Sequence, residues 1–308
     1  AAGPASAAGD EEEDDGDDSG GETAAAVGLA LGALVSRVEV MAHLDGAEAL
    51  RLPGEASLAD RIEDDVDPET VHQVRENLRR TLAAELHPIF SERYHQLRSN
   101  APYEFNGDAC AARSLKNVCL AYLMCEGSDT ARELCEEQFQ NSDNMTDSLG
   151  ALTCLANDSG PARLRTLGQF RENWKDDALV LDKWFALRAT SSLPDTLDEV
   201  RGLMSDPAFD IKNPNKVRSL IGAFCHANPR HFHAIDGAGY EFLRAQALHL
   251  DSLNPQIAAR LLGALSQWRR YEPDRKSMMR ASLKSILAAP GLSRDAYEVV
   301  SKTLGQTP

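Results

Sequence analysis

From about residue 26 to its end, the chain repeats one device. Apolar residues recur at every third or fourth position for roughly 10–16 residues, and then a short polar turn intervenes. That spacing puts the apolar side chains on one face of a 3.6-residue helix, and the period-two alternation that builds strands is nearly absent. Leu115, Val118, Cys119, Tyr122 and Leu123 make one such stripe. Others are Leu164, Leu167, Phe170 and Trp174; Val180, Trp184 and Leu187; Tyr240, Leu243, Ala247 and Leu250; and Met279, Leu283 and Ile286. Asp67-Pro68, Asn213-Pro214, Asn254-Pro255 and Glu272-Pro273 punctuate the pattern. At Asp67 a capping side chain precedes a proline whose φ already suits a first helical turn, whereas Asn213-Pro214 marks a turn after which Asn215 is expected to cap the next helix. His87-Pro88 falls inside the stripe Val71, Val74, Leu78, Leu82, Leu86, Ile89 and Phe90, where it is expected to kink or divide the helix. Helices joined by short turns pack as antiparallel neighbours. The expected fold is therefore all-α, with stacked antiparallel helix pairs forming an α-solenoid of ARM/HEAT type but no strict repeat period.

The charge is unevenly placed. The chain carries −16, and much of that lies between Asp10 and Glu22. Residues 1–23 offer almost nothing to bury and are expected to be a disordered acidic segment, with residues 24–308 the helical domain. The acidic balance excludes an electrostatic nucleic-acid binder, which needs a basic face. No membrane span is expected either: the apolar run from Ala24 to Val35 falls short of the ~20 residues that cross a bilayer. Six cysteines in a chain this long, none in a Cys-x-x-Cys, do not read as a disulfide scaffold or a zinc site. Cys119 and Cys154 fall among helical apolar positions and read as reduced core residues, which suits a cytoplasmic compartment.

A search for catalytic constellations returns nothing. There is no His-Glu-x-x-His, no Gly-x-Ser-x-Gly and no glycine-rich phosphate loop. His226, His231 and His233 crowd together, but Asn228-Pro229 separates them and nothing nearby completes a ligand set, so surface and turn histidines are expected. Two arginines are more informative. Arg218 and Arg260 each follow an Asn-Pro start, near the helix end where the dipole disfavours a cation. A guanidinium aimed into a cavity to hold carbonyl or carboxylate oxygens would explain the placement. On the residues alone, an ordinary inter-helix salt bridge is the simpler account.

Several strings, in order, resemble the bacterial-type aminopeptidase N family of zinc alanyl aminopeptidases. They are Val74-Arg75-Glu76 with Thr81-Leu82-Ala83, Arg113 to Asn117, Asn144 to Asp147 with Ala151-Leu152, Asp182 to Phe185, and Val200 to Leu203. Asn213 to Phe224, Phe232-His233-Ala234 and Asn254-Pro255-Gln256 come after these, so that the resemblance covers about residues 26–305. It implies that the chain is the C-terminal helical-repeat domain, a bowl of paired helices. Such a bowl closes over a thermolysin-like catalytic domain of the same polypeptide and admits short peptides. It further implies that zinc sits in that catalytic domain, that this chain holds none, and that Arg218 and Arg260 contact peptide beyond the scissile bond. A free-standing helical scaffold that binds peptides or proteins on its concave face is the alternative. Two departures stand out: the acidic run at residues 10–22, and Arg188, where bacterial relatives usually carry glutamine.

Overall fold

A computed structural model describes residues 46–99 and 101–305. The expected acidic segment at 1–23, the boundary at residue 24 and the apolar run from Ala24 to Val35 lie outside the described residues. Two short turns, Ala47–Leu50 and Glu55–Ala59, come first. Next are α1 (Pro68–Glu85), α2 (His87–Gln96), α3 (Gly107–Leu123), α4 (Asp129–Asn141), α5 (Met145–Ala156), α6 (Pro161–Asn173), α7 (Ala178–Ala189) and α8 (Thr196–Leu203). After α9, a composite helix over 214–227, the chain continues through α10 (Ala238–Asp251), α11 (Pro255–Leu262), α12 (Pro273–Leu287) and α13 (Arg294–Leu304). Among the described residues, extended pairing is confined to one bridge, Val66 with Tyr271. The architecture is the all-α solenoid expected from the periodicity.

The helix starts are where the polar punctuation placed them. Asp67 accepts from the Glu69 amide at 3.0 Å, Asn106 from Ala109 at 2.8 Å, Asn144 from Asp147 at 2.9 Å and Asn254 from Ile257 at 3.3 Å. Each satisfies an amide that the first turn leaves without a helical partner. Leu86, at φ −106° and ψ 10°, divides α1 from α2 just ahead of His87-Pro88. The stripe across this break is only partly core. Leu82, Leu86 and Phe90 are at most 3% exposed, whereas Val74 is 64% exposed and Leu78 37%. The first half of α1 is covered by the Glu55–Ala59 turn and the short turn Pro229–Phe232, which leave the side bearing Val74 open.

The solenoid closes on itself. The Val66 amide donates to the Arg270 carbonyl at 2.8 Å, and the Glu272 amide donates to the Val66 carbonyl at 3.2 Å. Side chains reinforce this seam: Arg270 pairs with Asp60 at 2.8 Å, Arg275 with Asp67 at 3.0 Å and Arg230 with Glu69 at 3.3 Å. Behind the seam lies an aromatic cluster. Phe224 meets Phe232 and Phe242 edge-on, with centroids 6.2 and 5.5 Å apart, and Tyr240 stands edge-on to Phe232 at 5.5 Å.

Candidate functional site

The helix carrying Arg218 is irregular at that residue. Residues Pro214–Val217 are α-helical, Arg218–Gly222 form a π-helical turn, and Ala223–Ala227 resume the α-helix. A π turn inserts one residue into the ladder and rotates the later part of a helix relative to the earlier part; such turns are frequent at functional sites. Here the rotation lets Leu220, Ile221 and Phe224 all point inward with no measurable exposure, while Arg218 stays outside. The Arg218 guanidinium donates to the Asn215 side-chain oxygen at 3.0 Å. Arg260 is likewise exposed, and its helix tightens into a 3₁₀ turn, Gly263–Leu265, directly afterwards. Among the described residues, neither guanidinium has a carboxylate within 4.0 Å, so the inter-helix salt bridge that would have explained them is not formed.

The ends of α9 and α11 approach one another: His226 and Gly263 line one cavity, and the His226 ring lies 4.0 Å from where a Cβ on Gly263 would stand. Arg218 stands eight positions before His226, about 12 Å of helical rise away. Among the described residues each guanidinium lacks a carboxylate partner, which leaves chemistry suited to carbonyl or carboxylate oxygens.

Beside this face, the seam encloses a cavity of about 630 Å³. His72, Arg75, His226, Arg230, Gln267 and Arg270 are among its lining residues. Most of these cations are committed. Arg75 donates to the Pro53 carbonyl at 2.8 Å, Arg230 to Ser192 at 3.1 Å, and Arg270 to Ala59 and Ile62 at 2.7 and 3.0 Å. Of these lining residues, His226 stood out in the sequence only as a surface histidine and Arg75 only within a resembling string, and the others carried no signal. They come from segments up to some two hundred positions apart, and only the seam unites them.

Of the three histidines expected at the surface, His226 is exposed and His231 half-buried, but His233 is buried. His233 is 5% exposed, with Nδ1 2.9 Å from the Tyr240 hydroxyl, Nε2 2.9 Å from the Tyr271 hydroxyl, and its ring stacked on Tyr271. Burial, with Arg275 close by, pushes its pKa down to about 3. Burial also lowers His231. The reason is the short turn Pro229–Phe232, which folds back under the Asn228 cap and turns His233 inward. Among the described residues, no three His, Cys, Asp or Glu side chains converge as metal ligands, so the residues here do not fit a zinc site.

Much of what looked like signature is scaffold. Asp147 is 5% exposed and receives Lys116 at 2.8 Å and the Asn117 and Asn144 amides at 3.1 Å each. Gln138 completes the network, donating to Asn117 at 2.7 Å and to the Asp147 carbonyl at 3.0 Å. Buried Lys216 joins α9 to α7 through Asp182 at 2.8 Å and the Ala178 carbonyl at 2.9 Å. Arg188 lies over the Trp184 ring at 4.6 Å and shares the Glu199 carboxylate with Arg163, so its charge serves an inter-helix contact.

Cys154, read from the sequence as core, is half-buried and lines a second cavity instead. All six cysteines are free thiols.

The fold and these contacts define a helical-repeat domain of ARM type. Residues 16–305 match a protein family described as "Domain of unknown function (DUF3458_C) ARM repeats", and the chain belongs to that family, the C-terminal domain of aminopeptidase N-like proteins. It is 40% identical over 258 residues to Aminopeptidase N of Escherichia coli (strain K12), covering 84% of this chain and 29% of that protein. It is 39% identical over 260 residues to Aminopeptidase N of Caulobacter vibrioides, covering 83% of this chain and 30% of that protein. Among solved structures it resembles Legionella pneumophila aminopeptidase A in complex with aspartic acid, with a TM-score of 0.77 at 30% identity. That match covers 84% of this chain and 31% of the other. The chain thus spans less than a third of the length of these relatives. Among the described residues, no helix is long and apolar enough to cross a membrane.

Proposed function

We propose that this domain belongs to a zinc-dependent aminopeptidase of the cytoplasm and caps its active site, gating and positioning short peptides whose N-terminal residue is removed elsewhere in the same polypeptide. The zinc, the water it activates and the general base belong to the catalytic domain; this chain contributes shape and binding energy. The observation that carries the reading is the pair Arg218 and Arg260. Both are exposed, on α9 and α11, in an acid-rich chain, with no carboxylate partner among the described residues. A guanidinium left free in this way is available to the carbonyl oxygens of a peptide or to its C-terminal carboxylate. Contacts remote from the scissile bond assist by fixing the bound geometry, so their energy is expressed at the reacting centre.

The test is kinetic, on the enzyme that carries this domain. Arg260→Ala and Arg218→Ala are each expected to lower kcat/KM for tri- and tetrapeptides by about tenfold, the loss of roughly one charge-assisted hydrogen bond. Hydrolysis of a single-residue amide such as alanyl-p-nitroanilide is expected to stay near wild type. Equal losses on both substrate classes would reject the peptide contact.

A further inference from the structure

The second cavity, about 420 Å³, lies where α1, α3 and α5 meet the segment after Ala47–Leu50. That volume falls within the range of about 300–1,000 Å³ usual for small-molecule pockets. Its wall runs against the acidic character of the chain: Arg51, Arg75 and Arg79 line it, and no aspartate or glutamate does. Arg75 and Arg79 stand four residues apart on α1, a spacing that puts both on one side of the helix. They share a single carboxylate, Glu76, which lies 3.1 Å from Arg75 and 3.2 Å from Arg79. Arg51 pairs with Glu48. Among the described residues, three cations thus meet two carboxylates, and one positive charge is left over.

The two α1 guanidiniums are held in place without being used up. Arg75 gives its Nε to the Pro53 carbonyl at 2.8 Å, and Arg79 gives one terminal nitrogen to the Ala121 carbonyl at 2.9 Å. Among the described residues, the other terminal nitrogen of Arg75 and the Nε of Arg79 donate to nothing. The two side chains are 22% and 31% exposed, and a cation partly shielded from water gains more from an anion than an exposed one. The rest of the wall is hydrocarbon or already engaged. Leu50, Leu52 and Val118 supply apolar surface. The Tyr122 hydroxyl donates to the Leu50 carbonyl at 2.6 Å, and the Thr153 hydroxyl to the Leu149 carbonyl at 2.7 Å.

We propose that this cavity binds a small organic monocarboxylate with an apolar body and no ammonium beside the acid group. The carboxylate lies against the Arg75 and Arg79 guanidiniums, a charge-assisted contact, and the body lies against Leu50, Leu52 and Val118. One surplus positive charge matches one carboxylate. A phosphate dianion would exceed that charge, and its outer oxygens would face hydrocarbon without hydrogen bonds. A free amino acid would set its ammonium against the arginines. The same chemistry is offered by a free branched-chain acid and by the C-terminal residue of a peptide. Arg218 and Arg260 do not line this cavity, so the proposal stands or falls apart from their role.

The experiment is calorimetric titration of the full chain. Isocaproate probes the free acid and N-acetylglycyl-leucine the peptide end, with isocaproamide and inorganic phosphate for comparison. At least one of the two acids is expected to bind, with the amide and phosphate about tenfold weaker or more. Tighter binding of isocaproate assigns the site to free acids, and tighter binding of the dipeptide assigns it to chain ends; either supports the proposal. Arg79→Met is expected to weaken the better acid by about tenfold, the loss of one charge-assisted hydrogen bond. Amide hydrogen exchange on the unmodified chain keeps the test standing if that variant folds poorly. The acid is expected to slow exchange in residues 51–54, the non-helical segment that carries Leu52 to the cavity. Absence of binding by both acids at millimolar concentration would overturn the proposal. So would an amide or phosphate that binds as well as the acids, or slowed exchange around Arg218 and Arg260 in place of residues 51–54.

Discussion

Asp147→Ala should be among the most damaging single changes in the domain, although no chemistry passes through that carboxylate. Its side chain is 8% exposed and that of its partner Lys116 is 12%, so the ammonium would remain desolvated with nothing opposite. Removing one member of a buried pair costs about 3–5 kcal/mol, mostly from the charge left behind. The loss is not shared out easily, because Asn117 and Asn144 also direct donors at the same carboxylate. For a domain of this size, that corresponds to a fall in Tm of roughly 10 °C, at about 2–4 °C per kcal/mol. Urea unfolding followed by circular dichroism measures it, with the m-value checking that the transition keeps its character. The double variant Lys116→Met with Asp147→Leu should recover most of the stability, since an apolar pair of similar volume can replace a buried ion pair at little cost. A single variant within about 1 kcal/mol of wild type would show that the carboxylate is effectively solvated and that the reasoning fails.

Three further outcomes are expected. Gly239→Ala should destabilise by about 3 kcal/mol or prevent folding, because its Cβ would lie 2.1 Å from the Phe232 carbonyl oxygen, where backbone must move; a Tm unchanged within error would contradict this. His233 should make the domain acid-sensitive above the carboxylate range. Its folded pKa of about 3 lies below the ordinary 6.5, so the unfolded chain binds more protons between those values. Stability is then whole above 6.5 and falls by about 1.4 kcal/mol per pH unit on the way down. His233→Gln should flatten that slope between pH 4 and 6 in urea titrations, and an unchanged slope would assign it to other groups. Asn254→Ala should remove the α11 cap at a cost of about 1 kcal/mol, read as a shift of a few degrees in Tm.

The sequence was most legible where one residue type has one use. Asp67 announces a helix start because a short polar side chain ahead of a proline and an apolar run can satisfy an orphan amide, and it does so. At the next such pair the cap is Asn213, which accepts from the Asn215 amide at 2.9 Å, and not Asn215 as expected, because Pro214 already occupies the first helical position. It was less legible where position along a helix had to stand for position in space. Val74 and Leu78 keep the helical period, yet they face outward because coverage of α1 depends on segments some 150 positions later. His233 misled for the same reason: three nearby histidines around an Asn-Pro read as a surface loop, until Tyr240 and Tyr271 close over both ring nitrogens. The π turn at Arg218 left no readable mark, since Val217, Leu220, Ile221 and Phe224 fit an ordinary helix equally well by spacing.

That π turn bears on why the closed seam matters to the candidate site. A π turn is unfavourable in an isolated helix and persists only where surrounding structure over-determines it. Here α9 is fixed from two directions: by Lys216 to α7 and by Phe224 within the aromatic cluster. Pro229–Phe232 comes immediately after α9, and Arg230 ties that turn both to Ser192 and to Glu69 at the opposite end of the solenoid. The position of Arg218 is therefore tied, through that turn, to the seam contact that Arg230 makes with α1. If Glu69→Ala opened the seam, the expected signature would be a change in peptide kinetics resembling that of the arginine variants, with single-residue amide hydrolysis preserved. A purely structural seam would instead lower stability and leave the ratio between the two substrate classes where it was.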